Sequence, residues 1–211
     1  MGNIEEYVKT SHKQQHTSYI HNTIPVIVKD ELRLDEESFE EFLQQAENLI
    51  PYRLFKNVEM IYIGSFSELH NKNAVYADGA IYISNDEPTA HDMLEDMVHE
   101  VAHSLETIYG GDIYTAALKK EFLSKRKKLK SILDSEGYSI PEEYYLDLEY
   151  SEQFDNFLSE VVGYPTLLNL TMGLFISPYG ATSLQEYFAN GFEKYHLGEI
   201  SSVKGISPVL Y

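Results

Sequence analysis

The segment MVHEVAHSLE, residues 97–106, places two histidines four positions apart and a glutamate directly after the first. On an α-helix, positions four apart lie side by side on one face, so His99 and His103 can direct their ring nitrogens at one metal ion. Glu100 stands where a carboxylate can reach a water molecule beside such an ion. Because this geometry exists only on a helix, the segment predicts both a helix and a candidate metal centre.

The residues around this motif have the pattern of an amphipathic helix. Pro88 suits the first helical position, and Asp86 or Glu87 can cap or charge the start. Gly110-Gly111 is expected to end the helix after Tyr109. Both histidines fall on its polar face. Apolar residues recur at spacings of three and four and predict a buried face, which consists of Leu94, Met97, Val98, Val101, Leu105 and Ile108.

The rest of the chain mixes strand and helix patterns in its first part and is mainly helical in its second. Strands are predicted over 23–34, 58–66 and 74–84, the last with a turn at Asp78-Gly79. Helices are predicted over 35–50, 117–133, 152–162 and 183–196, with a loop over 163–180. The fold class is therefore α+β, with an α/β half at 23–111, a helical half at 112–211 and an N-terminal tail or peripheral segment at 1–22.

Composition limits the partners and ligands that this chain can use. With 34 acidic and 16 basic residues, its net charge of −18 argues against nucleic acid or an anionic membrane surface as the main partner. The chain has no cysteine, so a metal has to be bound through His, Asp or Glu. The sequence contains no apolar run long enough for a transmembrane segment, which predicts a soluble protein, either cytoplasmic or secreted after loss of a signal peptide.

The motif supplies two ligands, whereas a catalytic zinc site needs a third and an open position for water. The metzincin class would require a glycine three residues and a histidine six residues after His103, but Glu106 and Tyr109 stand there. The third ligand is therefore expected to be a carboxylate further along the chain. The candidates are Glu149, Glu152, Glu160, Glu186 and Glu193.

Residues 177–196, SPYGATSLQEYFANGFEKYH, resemble the metal-ligand helix of the anthrax lethal factor-like catalytic domains, a group that includes the Pro-Pro endopeptidases. The shared features are a Tyr-Gly and, seven residues after the tyrosine, a Glu-aromatic-Phe-Ala segment. The resemblance implies that Glu186 is the third zinc ligand and that Tyr179 hydrogen-bonds the transition state. Asn190 departs from lethal factor, which has a second acid there, and Glu193 remains the alternative ligand on the same helix face.

The resemblance further implies one zincin-like catalytic domain over 23–211. In such a fold a small mixed sheet with an antiparallel edge strand packs on the HExxH helix, and an extended peptide pairs with that edge. Glu106 and Asp96 are expected to orient the histidines as hydrogen-bond acceptors. The expected edge-strand residues are Val75, Tyr76, Ala77, Ile81 and Tyr82.

The function that follows is a zinc-dependent endopeptidase that holds one Zn²⁺ and cleaves a peptide or protein substrate, with Glu100 as general base. Two alternatives stay open. The chain is a catalytically inactive zincin-like binding module, or it is an interaction protein that docks a partner through the basic helix 119–130. That helix holds seven of the chain's 16 basic residues, for which a solvated helix face is the simpler interpretation.

Overall fold

The computed structural model of the protein describes residues 16–69 and 72–211. Within these ranges five strands form one mixed sheet in the order β1-β2-β3-β5-β4. The β1–β2 and β4–β5 pairs are antiparallel, whereas β3 pairs in parallel with both β2 and β5. The predicted antiparallel edge strand is thus confirmed as β4. The strands are β1 His16–Ile20, β2 Ile24–Val28, β3 Met60–Gly64, β4 Ala74–Ala77 and β5 Ala80–Ser84.

The sheet has one buried face, because side chains alternate between the two faces along a strand. In β3, Ile61 and Ile63 are fully buried, and Tyr62 between them points to the other face, where it is half-buried. Tyr82 of β5 stands opposite Tyr62 in the register, and the two rings stack with their centroids 5.4 Å apart. The alternating pattern of the predicted strands therefore corresponds to a buried and a partly exposed face.

The turn between β4 and β5 lies at the predicted position. Asp78 and Gly79 have φ angles of 49° and 82°, both in the left-handed region that two-residue hairpin turns require. The main-chain N–H of Glu59 donates to the Gly79 carbonyl at 2.7 Å and attaches the turn to the residue before β3.

The segment 1–22, expected to be a tail or a peripheral segment, includes one outer strand of the sheet. Residues 16–20 form β1 and pair with β2 along their whole length. Residues 1–15 lie outside the part of the chain that the structure describes.

Two longer helices follow the predicted positions in the first part of the chain. Helix α1, Glu36–Leu49, begins after Asp35, whose side chain accepts from the Ser38 N–H. Helix α2, Ala90–Ile113, carries the HExxH motif, and its predicted apolar face is buried over most of its length.

The ends of α2 differ from the sequence-based expectation. Thr89 caps the start, because its Oγ1 accepts from the Asp92 N–H at 3.1 Å; the assignment of Pro88 to the first helical position was wrong. The end at Tyr109 was wrong as well, since the helix continues through Gly110-Gly111, and neither glycine has a positive φ. Glycine permits a left-handed helix end but does not impose one.

The second half of the chain is mainly helical, as predicted. The expected loop over 163–180 is wrong at 164–170, which form a helix after Gly163. No helix within residues 16–69 and 72–211 is both long and apolar enough to cross a lipid bilayer. The helices are α3 Ala116–Ser135, α4 Glu143–Leu146, α5 Glu152–Asn156, a π-helix at Phe157–Gly163, α6 Tyr164–Leu170, α7 Leu184–His196 and α8 Ile200–Ile206.

The chain divides into two compact units, Met1–Ser104 and Leu105–Tyr211. The boundary falls within α2, so the HExxH motif belongs to the first unit together with the sheet. The predicted single catalytic domain over 23–211, with halves that meet at 111 and 112, stays a prediction.

Helix α3 carries a charged side chain into the core of the second unit. Arg126 is fully buried, and its Nη1 and Nη2 donate to the main-chain carbonyls of Tyr144 and Thr182, each at 2.7 Å. Its guanidinium carbon lies 4.9 Å from the ring centroid of Phe122 and 4.3 Å from that of Phe154. The interpretation of this helix as a solvated basic face is therefore wrong at Arg126.

The neighbouring residue, Lys125, is also buried and also donates to main-chain carbonyls. Its Nζ donates to the main-chain carbonyls of Leu174 and Ile206, each at 2.6 Å, and lies 5.8 Å from the ring centroids of Phe175 and Tyr187. Burial lowers the pKa of Lys125. The two adjacent cations thus join α3 to carbonyl groups that come from four separate parts of the second unit.

Truncation of the buried arginine is expected to destabilise the protein. Arg126→Ala leaves the buried Thr182 carbonyl and the partly buried Tyr144 carbonyl without their donor and opens a cavity among aromatic rings, so we expect a loss of at least about 3 kcal/mol in the free energy of unfolding. The matched control is Lys127→Ala, because Lys127 is exposed and such surface changes alter stability by about 0.5 kcal/mol or less. Urea unfolding measures both variants, and equal effects would contradict the structural role of Arg126.

Candidate metal centre

The two motif histidines are half-buried on α2, and their Nε2 atoms face each other. Their Nε2 atoms are 3.2 Å apart, and the ring centroids are 4.9 Å apart. Two nitrogens bound to one tetrahedral zinc ion at 2.0–2.1 Å are separated by about 3.3 Å, so the side chains of His99 and His103 fit a common ion. The same distance also fits one ring N–H that donates to the other ring.

Glu100 lies beside the two histidines and is held by the sheet. The potential ligand atoms of His99, Glu100 and His103 all lie within 4.8 Å of one another. Glu100 is 8% exposed, and its Oε2 accepts from the main-chain N–H of Tyr76 at 2.7 Å. A carboxylate that accepts from a main-chain donor forms one of the stronger hydrogen bonds in proteins. One of its two oxygens is therefore fixed by strand β4.

The expected substrate-pairing residues separate into two groups. Val75, Tyr76 and Ala77 lie in β4 at the edge of the sheet. Ile81 and Tyr82 lie in β5, between β3 and β4, so their assignment to the edge strand was wrong. The main chain of β5 pairs with a strand on each side, which leaves only β4 for pairing with an added peptide on this side of the sheet.

Asp96, expected to orient the histidines, is partly buried and forms a pair with a second carboxyl group. Its partner is Glu87, which is 2% exposed, and Glu87 Oε2 and Asp96 Oδ2 have no hydrogen-bond partner among the described residues. Burial and repulsion from Glu87 raise the pKa of Asp96 to about 8, and His99 opposes this shift. Burial also raises the pKa of Glu87. The pair therefore holds a proton near neutral pH, next to a motif histidine.

No pattern in the sequence identifies Glu87 as a member of this pair. It precedes Pro88 in an acidic segment that reads as the start of a helix. Its burial depends on the path of the chain between β5 and α2, which no local pattern encodes.

The raised pKa of Asp96 predicts that stability falls as pH rises. Between its ordinary value of 3.8 and the folded value of about 8, the folded state holds a proton that the unfolded state has lost. The contribution of this proton to the free energy of unfolding is therefore complete below about pH 4 and is lost as the pH rises towards 8. Asp96→Asn removes this titration, so we expect the free energy of unfolding to depend less on pH than in the parent protein. The difference in slope is no more than about 1.4 kcal/mol per pH unit.

Urea unfolding from pH 5 to pH 8 in the presence of a metal chelator measures this difference. Asp86→Asn is the control, because the Asp86 side chain is 83% exposed. An Asp96→Asn variant with the same pH slope as the parent protein would contradict the shift.

Glu186 and Tyr179 lie together in the second unit. Ser183 caps α7, and its Oγ accepts from the Glu186 N–H at 3.1 Å. Glu186 is 7% exposed, and the Tyr179 hydroxyl donates to its Oε1 at 3.2 Å. Burial, together with the Glu186 carboxylate, raises the pKa of Tyr179. The phenol therefore stays protonated and can act as a hydrogen-bond donor.

Burial distinguishes Glu186 from the other candidate ligands. Glu149, Glu152 and Glu160 are exposed, whereas Glu193 is partly buried and its carboxylate lies 3.1 Å from the Lys194 ammonium. A buried carboxylate requires compensation by a hydrogen bond or a cation, and Glu186 has the hydrogen bond from Tyr179. Its role as the third metal ligand stays a prediction.

Two other residues from the sequence analysis lie near this helix or at the end of α2. Asn190, which replaces an acid of lethal factor, has a structural role, because its Nδ2 donates to the Glu186 carbonyl at 2.8 Å and its Oδ1 accepts from Ser177. Burial, together with the nearby Glu106 carboxylate, raises the pKa of the Tyr114 phenol. A role of Glu106 in orienting a histidine stays a prediction.

Comparisons with known proteins do not identify this chain. No family model matches the sequence, and the searches of curated proteins and of solved structures found no match. The resemblance of residues 177–196 to the lethal factor-like domains therefore stays a prediction. A function for this chain is therefore argued from the chemistry and geometry of its own residues.

Proposed function

We propose that this protein is a zinc-dependent endopeptidase with a zincin-like fold, in which His99 and His103 bind the ion and Glu186 is the third ligand. The observation that carries the proposal is the 3.2 Å separation of the two Nε2 atoms, with the Glu100 carboxylate beside them. The histidine pair supports one tetrahedral ion, and the glutamate supports catalysis, because a purely structural site has no need of it.

The donor set suits zinc among the common metal ions. Imidazole nitrogens and carboxylate oxygens are its usual ligands in a chain without cysteine. Bound by these residues, a zinc ion would lower the pKa of a water molecule and would polarise a peptide carbonyl.

Glu100 is the proposed general base. It takes a proton from the attacking water and delivers it to the nitrogen of the departing amine. Its burial and its hydrogen bond from Tyr76 support this role, because both restrict the carboxylate to one orientation. Such restriction reduces the entropy that has to be lost when the reacting groups align.

Tyr179 is the proposed donor to the oxygen on which negative charge develops. Its raised pKa supports this role, since a protonated phenol can donate in the transition state. The assignments of Tyr179 and Glu186 to the reaction rest on the sequence resemblance, together with the burial of Glu186.

The proposed substrate is a peptide in extended conformation. Strand β4 supports this proposal, because it is an edge strand and also contacts the general base. An added peptide strand would satisfy outward-facing main-chain groups of β4 by β-augmentation.

Removal of the general base is expected to abolish cleavage without loss of metal. Glu100→Gln retains the shape of the side chain but not its basicity, so we expect kcat/KM to fall by about 10²- to 10⁴-fold with zinc content unchanged. Elemental analysis and cleavage of a diverse peptide library measure the two properties. Glu95→Gln on the same helix is the matched control, and equal activity of the Glu100 variant and the parent would refute the assignment.

Loss of the third ligand is expected to reduce bound zinc. Glu186→Ala removes one of the three proposed protein ligands, so the zinc content after dialysis against a weak chelator should fall well below that of the parent. The exposed Glu160 provides the control variant Glu160→Ala. If Glu186→Ala binds as much zinc as the parent and Glu193→Ala does not, the ligand is Glu193.

The same measurements separate the two alternatives. A protein that binds zinc but cleaves no member of the library fits the inactive binding module. A protein without zinc fits the interaction protein with a docking surface at 119–130, although Lys125 and Arg126 of that helix are buried and already engaged with main-chain carbonyls.

A further inference from the structure

The edge strand β4 is attached to the motif helix at two points. The first is the hydrogen bond from the Tyr76 main-chain N–H to Glu100 Oε2. The second runs through the side chain of Asn57, whose Nδ2 donates to Tyr76 Oη at 2.6 Å and to the Ser104 carbonyl at 3.1 Å. Glu100 and Ser104 lie one turn apart on α2, so both attachments meet the same part of the helix.

The side chain of Tyr76 makes a second bond to the same partner. Its hydroxyl donates to the main-chain carbonyl of Asn57 at 3.1 Å and accepts from the Asn57 side-chain amide. Burial raises the pKa of Tyr76, which keeps this hydroxyl protonated and able to donate. Both ends of Tyr76 are therefore held, the main chain by Glu100 and the side chain by Asn57.

This arrangement is unusual for an edge strand. Outward-facing N–H groups of such strands are normally solvated or are available for another strand. At Tyr76 the N–H is already used by a buried carboxylate, and loss of such a donor would leave a buried charge short of a partner. One oxygen of Glu100 is therefore held by the main chain of β4.

We propose that Asn57 and Tyr76 are positioning residues for the general base: together they fix the main-chain N–H that holds the Glu100 carboxylate beside the histidine pair. This inference rests on the proposed endopeptidase function. It also predicts which part of β4 a peptide can use, because the Tyr76 N–H is engaged by Glu100 and the peptide has to pair with other outward-facing groups of the strand.

Two variants test the inference through catalysis. Tyr76→Phe removes only the hydroxyl, and Asn57→Ala removes both amide donors. We expect each to lower kcat by about 10- to 100-fold with KM within twofold of the parent and zinc content unchanged, because small misplacement of a catalytic group affects the chemical step most. The double variant is expected to be no worse than the more affected single variant, since both changes break one linkage. Tyr19→Phe is the control, because Tyr19 lies in the other edge strand and is 54% exposed.

A second measurement needs no activity. Amide hydrogen exchange, followed by NMR on chelator-treated protein, reports directly on the Tyr76 N–H. We expect this amide to be protected in the parent and to exchange at least about tenfold faster in Asn57→Ala, Tyr76→Phe and Glu100→Ala. Amides of the interior strand β3 should be unchanged.

The outcomes distinguish this inference from the proposed function. If Tyr76 exchange is unchanged in the Asn57→Ala and Tyr76→Phe variants, or if these variants lose thermal stability while kcat is retained, the inference is overturned and the endopeptidase assignment stands. If the parent cleaves no peptide, the proposed function fails. Faster exchange at Tyr76 in all three variants would then still support the attachment of Glu100 through Asn57, and unchanged exchange would overturn it.

Discussion

A charged side chain that leaves water has to meet a hydrogen-bond partner or an opposite charge, and this constraint organises both units of the protein. In the second unit, Arg126 and Lys125 satisfy it with four main-chain carbonyls from distant parts of the chain. In the first unit, Glu100 satisfies it with an N–H of the edge strand. Each buried charge thus joins elements whose contact the hydrophobic pattern of the sequence does not predict.

The same constraint links stability to the candidate chemistry. Arg126 of α3 donates to the Thr182 carbonyl, which lies directly before the Ser183 cap of α7 and therefore close in sequence to Glu186. The Glu87–Asp96 pair places a protonated carboxyl group next to a motif histidine. In both places a group that is costly to bury lies where it positions another group or shifts its pKa.

Much of the architecture was predictable because it depends on local patterns. Alternation predicted the strand that contains Ile61, Tyr62 and Ile63, and the turn at Asp78-Gly79 needed only residues that accept a positive φ. The errors arose where a local signal permitted more than one outcome. Gly110-Gly111 permitted a helix end that the chain does not use, and the charge run in α3 gave no sign that Arg126 lies inside the core.

By itself, the sequence determined the sheet and helix elements and the side-by-side placement of His99 and His103, because helical and strand periodicities depend on residues close in sequence. Tertiary structure decided which strand is the edge, that Tyr76 holds Glu100, and that Glu87 pairs with Asp96. These contacts join residues 24 and nine positions apart. Their formation depends on how the elements pack and on which charges are taken out of water, and no local spacing specifies either.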